Sequence, residues 1–413
     1  MSEGTETADV LIVGAGPAGL AAACELRRHG AGRVLVLDRE REPGGIPRHC
    51  GHHPFGMREM NRVLRGPDYA RRLVDRALGE GAEIRAATTV IALHPGGEVE
   101  VSDNSGPSRI RASRVLLATG VREKSRAARL IGGSKPGGVL STGALQGLVH
   151  LESVRPFERP VILGSELVAF SALLTCRHAG IRPLAMIEPE ATATARWPVP
   201  ELARLLGVPI RYRHCIGCIQ GRERVEAVEI IGPDGTTETL ATDGLIVTGD
   251  FVPEATLVRS GPLALDPATR GPAIDPWYRC SDPAFFAAGN LLRPVETAGW
   301  SWNEGRQAGR VIARALAGRL PAPVARATIR ITGEPLKYAM PQILATMPDG
   351  ETPPMTAVQL RVTRRTRGRL VARLEGRTIL ERTIDTAPER RILVPLSALP
   401  RGLSGEIELS VED

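Results

Sequence analysis

The chain of 413 residues carries 53 basic and 46 acidic side chains, a net charge of +7, with 42% apolar and 24% charged residues. That length implies more than one domain and that composition a packed core, so wholesale disorder is excluded. The basic excess lacks a nucleic-acid footprint: lysine occurs only at Lys124, Lys135 and Lys337, the arginines are scattered, and aromatics are 3% with no arginine-rich helix between them.

The opening MSEGTETADV has acids and no basic stretch, so no export signal is expected there. No run of about 18 apolar residues is free of charge, the nearest approach (161 to 176) being broken by Glu166, so no membrane-spanning segment is expected. Cys24, Cys50, Cys176, Cys215, Cys218 and Cys280 are too scattered for a disulfide framework and read as reduced thiols of a cytoplasmic protein.

In chain order, DVLIV (9 to 13) predicts a strand, GAGPAG a tight turn, AGLAAACELRRHG an amphipathic helix closed by Gly30, and RVLVLD a second strand. This is a βαβ unit carrying the dinucleotide fingerprint: Gly14 for the turn, Gly16 for close approach of a diphosphate, Gly19 for helix-to-strand packing, and Asp38 to accept from a ribose. The helix start offers unpaired N–H groups to phosphate. Residues 160 to 188 repeat the pattern, and Gly14 to Asp38 and Gly164 to Glu188 both span 24 positions, which predicts a second nucleotide-type domain. There the middle glycine is replaced by Glu166 and the third by Ala169. A carboxylate beside a diphosphate predicts that this domain binds NAD(P) poorly or not at all; a Glu166 that pointed away would leave binding possible.

VLLATG (115 to 120), LIVTGD (245 to 250) and FFAAGN (285 to 290) predict buried strands feeding tight turns, the last followed by a helix over NEGRQAGRVIARALAG closed by Gly318. After LPAPVA (320 to 325), ATIRIT, AVQLRVTR, RLVARLEG, RTILERTI, RILVPLS and EIELSV predict a small all-β sandwich. Arg361, Arg364, Arg365, Arg367 and Arg369 would give it a basic edge, either solvated or docking an acidic partner. The expected fold is α/β, with a discontinuous first domain (1–125 and 263–322), a second (126–262) and a C-terminal β domain (325–413).

GAGPAG with Asp38, then EPGG, LLATG, VTGDFVPE and FFAAGN, resembles the two-dinucleotide-domain FAD flavoproteins of the glutathione reductase type, over roughly residues 8 to 320. GGIPRHCGHHPFGMREMNRVLRGPDYARRLV is more similar to flavin subunits of multi-component dehydrogenases that act on glycerol 3-phosphate, opines, hydroxyproline or cyanide-forming amino acids. The resemblance implies extended FAD. Gly14, Gly16, Pro17, Ala18, Gly19, Asp38 and Arg39 would hold its diphosphate and ribose, with Gly44 and Gly45 alongside, Val90 at the adenine, Thr119 and Gly120 beneath, and Gly289, Asn290 and Thr297 toward the flavin end. Asn290 departs from the family's aspartate. The family's redox disulfide is also missing, since only Cys50 occurs in that region, so electrons are expected to pass between an organic substrate and a partner subunit, another carrier or a quinone.

His49, Cys50, His52 and His53 are expected where the chain passes the flavin ring. His52 or His49 is the expected base, with Cys50 packed near the ring; the alternative is that these residues only bond the loop and wall the cofactor. Adjacent residues rarely converge on one tetrahedral ion, so no metal is expected there. Cys215 and Cys218 form a CxxC without a second pair, which reads as buried small residues. Trp300 and Trp302 are candidates for a pocket wall or for the core. The expected activity is that of an FAD-dependent dehydrogenase. The alternatives are an NAD(P)H-dependent reductase and a non-catalytic electron-relay component of a complex.

Overall fold

The computed structural model describes residues 6–348 and 351–412. Seven α-helices occur among them: α1 (Pro17–Arg28), α2 (Gly66–Gly79), α3 (Thr142–His150), α4 (Leu167–His178), α5 (Glu201–Leu205), α6 (Thr256–Ser260) and α7 (Ala298–Leu316). No helix among the described residues is long and apolar enough to cross a membrane.

The strand Glu6–Val13 lies between Val34–Leu37 and Gly106–Leu117, parallel to both, and Phe285–Ala287 returns from far along the chain to extend the same sheet. Burial of residues 10–13, 34–37, 115–117 and 285–287 explains the apolar runs there. In α1, Pro17 occupies the first turn, where its missing N–H is no loss, and Arg27 and Arg28 sit at the negative end of the helix dipole. A Cβ on Gly19 would overlap the carbonyl oxygen of Gly14, so the turn and the helix can close only with glycine there. Helix α7 then packs across α1 at Gly305, where a Cβ would overlap the Ala18 carbonyl. This fixes the start of α1 against the middle of α7.

The second unit repeats the first. Val161–Leu163, α4 and Ala185–Glu188 form a parallel βαβ, and Leu245–Val247 pairs with its first strand. The correspondence extends to contacts: a Cβ on Gly14 would come 2.5 Å from the Ala118 carbonyl oxygen, and one on Gly164 would come 2.5 Å from the Thr248 hydroxyl.

The C-terminal segment is a sandwich of a five-stranded and a three-stranded sheet around its own apolar cluster, including Leu360, Leu370, Ala372 and Ile407. All six expected strands are present, with two more at Leu336–Met340 and Ile343–Thr346. Met340, Met347 and Met355 pack into the core of the first unit, and Ile343 donates its N–H to the Ile274 carbonyl at 3.1 Å. Arg364, Arg365, Arg367 and Arg369 are exposed, but they lie in the turn before and on Thr366–Leu374, an interior strand paired on both sides, so the expected basic edge is corrected to a basic face. Arg361 is not part of that face: its side chain is 17% exposed because it turns inward onto Glu296, 3.0 Å away.

Candidate functional site

The cleft opens at the start of α1. No side chain caps this helix, so its first N–H groups stay free, and a Cβ built on Gly16 meets no protein atom within 4 Å. Gly44 donates its N–H to the Ala15 carbonyl at 2.9 Å, which brings the Gly44–Gly45 bend against Gly16. Asp38 closes the far side, its Oδ2 accepting from Ala15 N at 2.7 Å and its Oδ1 from Glu40 N at 2.9 Å. Burial raises the pKa of this carboxyl, and those two N–H groups oppose the shift. Thr88 N bonds the Asp38 carbonyl at 2.9 Å, so Val90 on the strand Thr89–His94 follows close behind. Arg39 points to solvent beside Glu40, away from the turn.

Thr119 and Gly120 lie next to Gly14 because the strand Gly106–Leu117 runs parallel to the first; the Thr119 hydroxyl donates to the Glu254 carbonyl at 2.7 Å. Gly289 sits against Ala18, and Ser301 Oγ, near the Gly289 Cα, is buried with no protein partner. A glycine-lined trough with free N–H groups at the helix start, an acid on one side and an orphaned hydroxyl beside Gly289 on the other fits an extended FAD.

Asn290 departs from aspartate for a local reason. Its Nδ2 donates to the Glu296 carbonyl at 3.0 Å and its Oδ1 accepts from Glu296 N at 2.8 Å, closing the 290–296 loop at both ends. A carboxylate could make only the second bond. The amide thus holds the loop with one donor and one acceptor position, and its remaining donor and acceptor capacity is not used among the described residues. Thr297 is the N-cap residue of α7, without a side-chain cap bond. The helix begins five residues earlier than the sequence pattern suggests, so Trp300 falls in its first turn. There Trp300 lies between two guanidinium groups, Arg391 at 4.0 Å and Arg58 at 4.6 Å from its ring centre. Trp302 instead packs on the core of the first unit.

The histidine loop is tied to the second unit by a directional chain. His52 Nδ1 is 3.0 Å from the His53 carbonyl, which can only accept, so in the neutral ring Nδ1 carries the hydrogen and Nε2 accepts from the Ser171 hydroxyl at 2.5 Å. Ser171 in turn accepts from Gln146 Nε2 at 2.7 Å, and Gln146 Oε1 accepts from the Cys50 thiol at 3.4 Å. Burial pushes the Cys50 thiol up to about 12, so it stays protonated and is no nucleophile. His49 differs from His52: its Nδ1 is buried without a protein partner, and burial lowers its pKa, which keeps the ring neutral. His53 is exposed. Among the described residues no group of three or more His, Cys, Asp or Glu side chains is arranged to hold a metal ion. Gln146 and Ser171 carry no sequence signal; they sit 96 and 119 positions from the groups they bond.

At the second glycine turn Glu166 does not point away. Its Oε1 accepts from Asp250 N at 3.2 Å, and the carboxylate packs on Gly249, the counterpart of the Thr119–Gly120 turn. Burial raises its pKa. A carboxyl group of the protein's own thus lies against the turn that the first unit leaves open. Cys215 and Cys218 lie on the strand Cys215–Gln220, Cys215 exposed, which corrects the expectation that both are buried.

Three comparisons bear on this geometry. A family model described as pyridine nucleotide-disulphide oxidoreductase matches residues 8–308. The A subunit of opine oxidase from Rhizobium meliloti (strain 1021) is 34% identical over 185 residues, which are 44% of this chain and 39% of that protein. The alpha subunit of sarcosine oxidase from the same strain is 27% identical over 312 residues, 70% of this chain and 28% of that protein. The chain therefore spans well under half the length of both relatives. Thioredoxin reductase of T. acidophilum shares the fold with a TM-score of 0.64 at 21% identity, over 75% of this chain and 99% of that one. With the family match covering both βαβ units, the chain belongs to the pyridine nucleotide-disulphide oxidoreductase family and is an FAD-dependent oxidoreductase.

Proposed function

We propose that the chain is the flavin subunit of a multi-component cytoplasmic dehydrogenase that oxidises a C–N or C–O bond of a small donor, an amino acid, amine or polyol phosphate. Electrons leave to a partner subunit, another carrier or a quinone. The observation that carries this reading is Glu166, whose carboxylate lies on the 249–250 turn where a nicotinamide dinucleotide would need bare backbone. The lone, protonated Cys50 removes dithiol exchange as well. Relatives named as subunits of opine and sarcosine oxidases support both the donor class and the partner.

FAD, when bound, supplies the hydride chemistry. On this reading residues 1–125 with 263–322 hold it, through the trough of Gly14, Gly16, Gly19, Gly44, Gly45, Asp38, Thr119, Gly120 and Gly289. Residues 126–262 keep the nucleotide-domain form without the ligand. His49 Nδ1 is the atom free to take the donor's proton, and a lowered pKa keeps it unprotonated at neutral pH. His52 orients the loop through Ser171.

The test is a screen of the purified protein against amino acids, secondary amines and polyol phosphates with a dye acceptor. One donor class is expected to reduce the flavin, with His49→Asn slowing that step about 100-fold or more while FAD is retained. Absence of reduction by every donor, with turnover restored only by a second added protein, would favour a relay role.

A further inference from the structure

The C-terminal sandwich does more than pack beside the flavin unit. Glu296, whose side chain is only 5% exposed, reaches out of the 290–297 loop toward that domain. Its Oε1 accepts from Gln359 Nε2 and from Arg361 Nη2, both at 3.0 Å, and its Oε2 pairs with Arg391 at 3.6 Å. Gln359 and Arg361 alternate on the strand Ala357–Val362, so both face the same side; Arg391 immediately precedes Ile392–Pro395. Behind the loop, fully buried Arg293 donates to Glu304 Oε2 at 2.9 Å. With Arg58 over Trp300 and the Glu59 carboxylate against Gly299, four guanidinium groups face three carboxylates, which leaves one positive charge in excess. That charge sits beside the N-terminus of α7, whose dipole has the same sign.

We propose that the C-terminal β domain is a working part of the flavin site: Gln359, Arg361 and Arg391 hold Glu296, and Glu296 fixes both the position of the 290–297 loop and the charge it presents to the flavin. This rests on the reading that Gly289 to Thr297 faces the flavin end of FAD. Glu296 is a positioning residue, acting through its own backbone bonds to Asn290 and through its partial neutralisation of the two domain arginines. Removing one buried partner leaves the other charge uncompensated, so both geometry and potential must respond. Reduction of a flavin adds negative charge, which nearby positive charge favours.

The experiment measures the flavin midpoint potential of the full-length holoprotein by equilibration with reference dyes, for the parent, Glu296→Gln, Arg361→Gln and the double variant. Glu296→Gln removes a negative charge and keeps an acceptor, so the potential moves up. Arg361→Gln moves it down, and the double variant returns toward the parent value. Arg364→Gln, in the exposed turn before Thr366–Leu374, leaves it unchanged. A structural strut would give no shift, or shifts of one sign for both single variants; either result overturns the charge role. Amide exchange of residues 289–299 in apoprotein is the second readout, expected to quicken at least about tenfold in Glu296→Ala. Unchanged exchange overturns the positioning role, and this arm does not depend on FAD. Failure of the parent protein to bind FAD would instead overturn the flavin reading itself.

Discussion

Gly16 and Gly19 are three positions apart and are glycine for different reasons. At Gly16 a Cβ would meet only open cleft, whereas at Gly19 it would strike the Gly14 carbonyl. Gly16→Ala should therefore change apoprotein stability by no more than about 1 kcal/mol yet weaken FAD binding at least about tenfold. Gly19→Ala should destabilise the apoprotein itself. Paired urea titrations and flavin-fluorescence titrations separate the two. His49 gives a pH test. Its folded-state pKa lies below the ordinary imidazole value because burial disfavours the charged ring, so the unfolded chain binds more protons on the acid side. The stability it contributes is complete above the unfolded pKa and falls as pH drops through the window beneath it. Urea midpoints of the parent should decline as the pH is taken from neutral to mildly acidic, and His49→Gln should flatten that decline. An identical slope in the variant would show that His49 is not held neutral by burial. The glycines were legible from spacing alone, because a diphosphate turn constrains backbone. The state of His49 was not, because it depends on what covers the ring.

At the scale of elements, the 290–297 loop is the clearest case of a sequence departure with a structural cause. Asn290 supplies both a donor and an acceptor to the Glu296 backbone, and the family's aspartate would supply only an acceptor. Asn290→Asp removes one buried bond and should cost about 1–3 kcal/mol. Thermal melts of the apoprotein check this, an unchanged melt indicating that the loop is held from outside. The start of α7 was hidden in the sequence for a related reason: Ala298 to Trp302 has no helical apolar stripe, and the turn is held by the guanidinium groups on Trp300 and by packing on α1. The second glycine turn was legible as a poor copy, and the structure adds that Glu166 itself occupies the turn opposite.

For the whole molecule, the duplication of strand, turn, helix, strand and acid over 24 positions was enough to give two nucleotide-type units, since a parallel sheet buried on both faces leaves an apolar signature. The alternation after residue 325 was likewise enough for a sandwich. How that sandwich attaches was hidden. Arg361 reads as one more cation in a basic stretch, and only the fold brings it to a carboxylate 65 positions away. On the proposed function two units of one pattern divide the work: the first opens its turn to a dinucleotide, and the second sets its own Glu166 against the corresponding turn. Anaerobic mixing of the FAD-loaded protein with excess NADH or NADPH, followed at the flavin absorption band of about 450 nm, tests that division most directly. The flavin should remain oxidised over the turnover time of its organic donor, and rapid bleaching by either nucleotide would contradict it.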